Sequence, residues 1–196
     1  MQTITKHYID GVFVESHGRE VMDSINGMRD DPQAPWGGFK HSGANHATIS
    51  PSEAADSLAI RELVEAYAHC ADRRDAKGQM SIFTTDIHFV VYMNAKDPTP
   101  SQELYSRVAL APVFAELNKY DATTHFVGQS TIFTLTADRA TGEAYCLAHH
   151  VTAEGGKRRL MLASLRYLDT FVKMDGAWLF AERRLYVDWL EERTLS

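Results

Sequence analysis

Residues 173–184 read Lys173-Met174-Asp175-Gly176-Ala177-Trp178-Leu179-Phe180-Ala181-Glu182-Arg183-Arg184. Two β-rich runs meet there at an Asp-Gly pair, a dipeptide that suits the left-handed backbone of a tight hairpin turn. Working outward, the run before the turn extends back to Arg158 and the run after it reaches Trp189. Thr123 to Thr136 and Gly142 to Ala153 are two more such runs, and Ala137-Asp138-Arg139-Ala140 and Glu154-Gly155-Gly156-Lys157 are two more turn sequences. Four long strands in succession, joined by three short turns, predict an antiparallel meander.

Upstream of Tyr120 the hydrophobic period changes from two to 3.6. Ser50 is a helix cap, Pro51 occupies the first helical position and Glu53 completes a capping box. Ile60, Leu63, Val64, Tyr67 and Ala71 then form an apolar stripe at helical spacing. A second short helix is expected over Ala76 to Phe83, a strand over Asp86 to Met93, and a third helix over Gln102 to Leu117 with Ser101 as its cap. Helices followed by a meander place the chain in the α+β class, with a curved antiparallel sheet wrapped around the long first helix as a cone. An apolar pocket is expected at the open end of that cone.

Composition narrows the function. The 196 residues are 44% hydrophobic and 23% charged, enough for one core, and the expected division is an extension over residues 1–50 and a globular domain over 51–196. A net charge of −6, with Lys157-Arg158-Arg159 as the one compact basic cluster, argues against nucleic acid as a partner. No apolar run approaches the ~18 residues that suggest a membrane span. Lys6, Asp10, Glu15 and Arg19 break up what a signal peptide would keep apolar, so the expected compartment is the cytoplasm. Cys70 and Cys146 fall in a helical and a strand segment, which suggests no disulfide framework.

Residues 27–50 collect Pro32, Pro35, Gly37, Gly38, Gly43 and Asn45 and read as linker, whereas Lys6 to Val14 alternates around Asp10-Gly11 like a short hairpin. His7-Tyr8-Ile9-Asp10-Gly11 with Glu20-Val21-Met22-Asp23-Ser24-Ile25-Asn26 resembles the opening of an aldehyde dehydrogenase. Ala34-Pro35-Trp36-Gly37-Gly38-Phe39-Lys40-His41-Ser42-Gly43 resembles a motif near that family's end. The dinucleotide-binding body and catalytic cysteine region between such segments are missing. Residues 1–44 therefore read as a remnant without dehydrogenase activity.

The globular part carries a second resemblance. Leu63 to Asp75 with Asp72-Arg73-Arg74-Asp75, then Thr123-Thr124-His125-Phe126, Gly142 to His150, Tyr167-Leu168-Asp169, and Asp175 through Arg184 resemble, in that order, the SnoaL-like group of the nuclear-transport-factor-2-like superfamily, over residues 57–191. The resemblance implies a cofactor-free lyase or isomerase, of dehydratase or dehydrohalogenase type, in which His125 is the base and Asp72 its orienter. It also places Tyr67, His150 and Arg183 as assisting groups. Phe83, Phe89, Val91, Phe114, Cys146 and Tyr167 supply walls for a hydrophobic small-molecule substrate. It implies a homodimer or homotrimer, and neither a cofactor nor a metal. The superfamily also includes non-catalytic members, such as the small β subunit of ring-hydroxylating dioxygenases, and ligand-binding proteins.

Read from the residues alone, each site candidate has a plainer alternative. Asp72 lies ~120° from the centre of the apolar stripe, at the border of the core, where a solvated helix end is equally consistent. Tyr67 sits within the stripe and can be core. Strand alternation lets only one of Arg183 and Arg184, and only one of His149 and His150, face inward.

Overall fold

The computed structural model describes residues 6–9, 12–15 and 49–195. The chain divides into two compact units, Met1–Gly38 and Phe39–Ser196. In the first, β1 (Lys6–Ile9) and β2 (Val12–Glu15) pair antiparallel, with Ile9 opposite Val12 and Lys6 opposite Glu15. Most of the dehydrogenase-like stretch, including residues 20–26 and 34–43, lies outside the described residues.

The second unit opens with α1 (Pro51–Asp72), whose start is built by local chemistry. Ser50 Oγ accepts the Glu53 N–H while the Glu53 carboxylate accepts the Ser50 N–H, so two otherwise unpaired donors are satisfied together. Such a cap contributes about 1 kcal/mol. Ile60, Val64, Tyr67, Ala68 and Ala71 form the buried face. Asp56 ties the helix to the sheet, accepting from Lys173 Nζ at 2.7 Å and Trp178 Nε1 at 2.9 Å.

Next come α2 (Ala76–Ser81), β3 (Phe83–Tyr92), β4 (Gln102–Leu104), α3 (Leu110–Ala115), β5 (Ala122–Leu135), β6 (Arg139–Glu154), β7 (Lys157–Met174) and β8 (Ala177–Leu195). The six strands from β3 onward form one sheet, ordered β4-β3-β8-β7-β6-β5. The meander β5 to β8 is antiparallel throughout. Two of its three turns use the expected residues: Gly155 and Gly156, and Asp175 and Gly176, all have positive φ, the two-residue pattern that matches the twist of a hairpin; the first turn is shorter than expected, because Arg139 and Ala140 already belong to β6.

Two expectations are corrected. β3 joins β8 in parallel, with Phe89 opposite Arg183, so the sheet is not wholly antiparallel. The first three strands of the meander lie between them in sequence, which leaves ample chain for the crossover that parallel pairing needs. The predicted third helix over Gln102 to Leu117 is largely absent. Gln102–Leu104 pairs with β3 as an edge strand, and only Leu110–Ala115 is α-helical, between single 3₁₀ turns. Pro112 explains the short helix: within a longer one its ring would clash with the carbonyl four residues back and remove a hydrogen bond.

The core lies between α1 and the inner face of the sheet. Tyr67 meets Phe83, Phe114, Tyr167 and Phe180 edge-on, with centroids 5.8 to 6.3 Å apart. Opposite this aromatic layer, the inner row of β6 is small: Ala140, Gly142, Ala144, Cys146 and Ala148 are all buried. Gly142 is the tightest point, because a Cβ there would lie 2.7 Å from the Thr131 carbonyl oxygen. Backbone would have to move to admit it. Gly142→Ala is therefore expected to lower the unfolding free energy by about 1–3 kcal/mol, read from urea melts, as overpacking against fixed backbone does.

Candidate functional site

Asp72 is the last residue of α1, and β5 runs past that end of the helix. The edge position that periodicity gives Asp72 is where the sheet begins, so the carboxylate meets β5. Its Oδ2 accepts the His125 backbone N–H at 2.9 Å, and its Oδ1 accepts the Thr123 hydroxyl at 3.0 Å and lies 2.7 Å from His125 Nδ1. The Asp72 side chain keeps 26% exposure and that of His125 keeps 7%.

Burial alone would raise the Asp72 pKa, but the backbone and ring bonds from His125 and the Thr123 bond outweigh it and hold the carboxyl below its ordinary range. An ionised carboxylate only accepts. The proton of neutral His125 must then sit on Nδ1, which leaves Nε2 with a free lone pair. This tautomer follows from the donors and acceptors around the ring.

His150 continues the inner row of β6 opposite Thr123. Its Nε2 is 3.5 Å from His125 Nε2, its ring stacks on Tyr120 with centroids 4.5 Å apart, and its buried Nδ1 has no hydrogen-bond partner among the described residues. Burial first, then the neighbouring His125 and Arg74, press its pKa down to about 4. A neutral imidazole has one N–H. On Nδ1 it would be buried without an acceptor, whereas on Nε2 it points to the His125 lone pair, at the long end of hydrogen-bond range. The polar groups thus form a directed chain, from His150 N–H to the His125 lone pair and from His125 Nδ1–H to Asp72.

The other expected site residues lie elsewhere. Arg183, expected to bind an anionic group, is 0% exposed and spends its guanidinium on Asp169, directly opposite on β7, through Nε and Nη2 at 2.8 Å each. The rings of Tyr67, Tyr167 and Phe180 surround it, with centroids 4.1 to 4.2 Å from its Cζ. Burial works against this charge, but Asp169 more than compensates and raises its pKa. Arg183 is thus a core cation already neutralised, and Arg184 lies on the outer face against Glu182. Tyr67 packs in the aromatic layer, and burial raises its pKa, which keeps it a neutral phenol.

Of the expected pocket walls, Phe83, Phe89, Phe114, Cys146 and Tyr167 are buried members of the core, and Val91 packs against it. Burial drives the Cys146 thiol up to about 11, so it is no nucleophile. A depression lined by Ile60, Val64, Thr131, Glu143, Asp169 and Phe171, among others, touches neither Asp72 nor His125. Among the described residues, no three His, Cys, Asp or Glu side chains are grouped to hold a metal, and no helix is long and apolar enough to cross a membrane.

Three residues at these two centres escaped the sequence reading. Thr123 precedes His125 by two, the spacing that puts both on one face of a strand. Asp169 is a lone carboxylate in a buried apolar run, the usual mark of a paired charge. Arg74 stands in the charged run that closes α1, a setting that gives it no signal of its own. It is half-buried at φ 60°, a left-handed backbone that costs a non-glycine residue about 1 kcal/mol.

A helix-first α+β unit with a curved, unclosed six-stranded sheet is the nuclear-transport-factor-2-like architecture. The sequence matches the SnoaL-like domain over residues 52–184, more than half of the chain, and the protein belongs to that family. Similar solved structures include a candidate scytalone dehydratase from Novosphingobium aromaticivorans, 19% identical over 74% of this chain and 92% of that one, with a TM-score of 0.62. The LinA-type3 hexachlorocyclohexane dehydrochlorinase from Novosphingobium barchaimii is 17% identical over 73% and 92%, TM-score 0.56. The β subunit of a candidate aromatic-ring-hydroxylating dioxygenase from N. aromaticivorans is 22% identical over 71% and 93%, TM-score 0.57. At these identities the likeness is one of fold. No curated protein matches the chain.

Two stability predictions follow from the buried charges. His150 has a folded pKa below its unfolded one, so its contribution is fully present above ~6.5 and is lost as pH falls toward about 4. Urea melts should show a loss on the order of 2 kcal/mol across that window, and His150→Asn should flatten the slope. Asp169→Leu should cost about 3–5 kcal/mol by stranding Arg183, and adding Arg183→Met should recover most of it in a double-mutant cycle.

Proposed function

We propose that this protein is a cofactor-independent lyase acting on a hydrophobic small molecule, with His125 as the base and Asp72 as its orienter. One observation carries the reading: the 2.7 Å contact between His125 Nδ1 and an Asp72 carboxylate held below its ordinary pKa range. That contact puts the lone pair on Nε2 and stabilises the imidazolium that forms when Nε2 takes a proton.

The chemistry balances without a further reagent. Nε2 takes a proton from a substrate carbon, the electrons of that C–H bond form a carbon–carbon double bond, and the leaving group on the next carbon departs with its bonding pair. If it is a hydroxyl, the imidazolium returns the proton to it and water leaves. If it is a halide, the proton passes to solvent. If no group leaves, return of the proton to another carbon of the conjugated system shifts the double bond, which is the isomerase variant. His150 stays neutral above about pH 4, so once a substrate displaces its 3.5 Å contact with His125, its Nε2–H turns to a substrate oxygen as a hydrogen-bond donor and not as a source of H⁺. Tyr67 and Arg183 carry no proton in this scheme.

A second reading, a non-catalytic subunit of a larger assembly, draws on the outer face of the sheet. Phe126, Leu147, Ser164 and Trp189 lie in one line across four strands, and Phe126 and Trp189 remain 64% and 49% exposed. Such a stripe suits contact with another chain. It accounts for nothing about the half-buried His–His–Asp chain, which an assembly role does not need.

The test is a turnover assay on hydroxylated cyclic ketones and halogenated cyclohexanes, following release of water or halide. Asp72→Asn and His125→Ala should each slow turnover at least ~100-fold while the protein stays folded. A wild-type rate in either variant would sink the dyad. Absence of turnover on the whole panel, with co-purification of a large subunit, would favour the assembly role.

A further inference from the structure

We infer that Arg74 and Thr123 are positioning residues that set the ring tautomer of His125 by acting through Asp72. The inference rests on the proton-abstraction reading of the dyad for its purpose, but not for its geometry.

The donors around Thr123 can point only one way. Arg74 Nη1 contacts Thr123 Oγ1 at 2.5 Å, the Ala71 carbonyl at 3.1 Å and the Asp72 carbonyl at 3.3 Å, while Nη2 contacts the Tyr120 carbonyl at 3.4 Å. A guanidinium has no acceptor, so the Thr123 hydroxyl must accept from it. That hydroxyl has one proton, and the acceptor facing it is Asp72 Oδ1 at 3.0 Å. Arg74 thus dictates the direction in which Thr123 donates.

Asp72 needs this support because of where it stands. As the last residue of α1 it sits at the negative end of the helix dipole, where a carboxylate is disfavoured, and a quarter of its side chain reaches solvent. Arg74 brings a positive charge to that helix end and satisfies two of its carbonyls. Without Arg74 or the Thr123 hydroxyl, the carboxylate can swing toward water. His125 would then regain the Nε2–H form, and the lone pair would leave the side that faces His150. The left-handed backbone at Arg74 fits glycine better than arginine, so Arg74→Gly removes the guanidinium without imposing backbone strain.

The test uses the full chain labelled with nitrogen-15 at histidine, at a pH where His125 is neutral, and needs no substrate. Ring nitrogen shifts should show wild-type His125 as the Nδ1–H form alone. Thr123→Val and Arg74→Gly should each lose that single signature and give a mixture with Nε2–H, and Thr123→Ser should restore it. An unchanged Nδ1–H form in both Thr123→Val and Arg74→Gly overturns the inference, as does a wild-type ring carrying its proton on Nε2. If one variant fails to fold, the other decides alone. A tautomer that responds while Asp72→Asn and His125→Ala leave turnover intact would remove the lyase reading and leave the positioning roles standing.

Discussion

The contact on which the rest of the domain depends is the buried pair of Asp169 and Arg183. Two opposite charges face each other across β7 and β8 with essentially no exposure, and three aromatic rings enclose the guanidinium. A one-residue slip of either strand would leave both charges unpaired in an apolar interior, at a cost of several kcal/mol. The pair therefore selects one register for the two central strands. It also holds Tyr67, and with it the buried face of α1, against the sheet. The position of Asp72 at the end of that helix is inherited from this arrangement.

Five residues beyond Tyr67, at the end of the same helix, a second carboxylate is paired differently. Asp72 is partly exposed, its partner is an imidazole, and a second imidazole, held neutral by burial, closes the chain. One acid and base pair is locked by full burial and a permanent cation. The other is left poised, because a histidine can change its charge near neutral pH and an arginine cannot. The contrast separates a pair whose charges are fixed from one whose charge can change.

Much of this could be read from the residues, where the governing interactions are local. The Ser50 cap, the stripe from Ile60 to Ala71 and the hairpins at Gly155-Gly156 and Asp175-Gly176 depend on neighbours a few positions away. The parallel pairing of β3 with β8 depends on strands about ninety residues apart, and nothing in either strand encodes it. The third helix falls short of its apolar spacing because Pro112 stands where a longer helix would need a backbone donor. Arg183 shows the limit of alternation: the pattern said that one of two arginines points inward, but only the fold put Asp169 opposite it. Asp72 shows the converse, since periodicity placed it at an edge and the passage of β5 gave that edge its meaning.

The small inner row of β6 has a further consequence. Ala140, Gly142, Ala144 and Ala148 present little more than backbone to the interior, so the space above that strand belongs to side chains arriving from elsewhere. Only where the row reaches His150 does a large polar group rise from it, on the same side as the His125 lone pair and 3.5 Å away. Under the proposed lyase reading, a ligand held against both rings would meet them on a single face, and the hydrogen removed and the group bound to His150 would lie on the same side of the substrate.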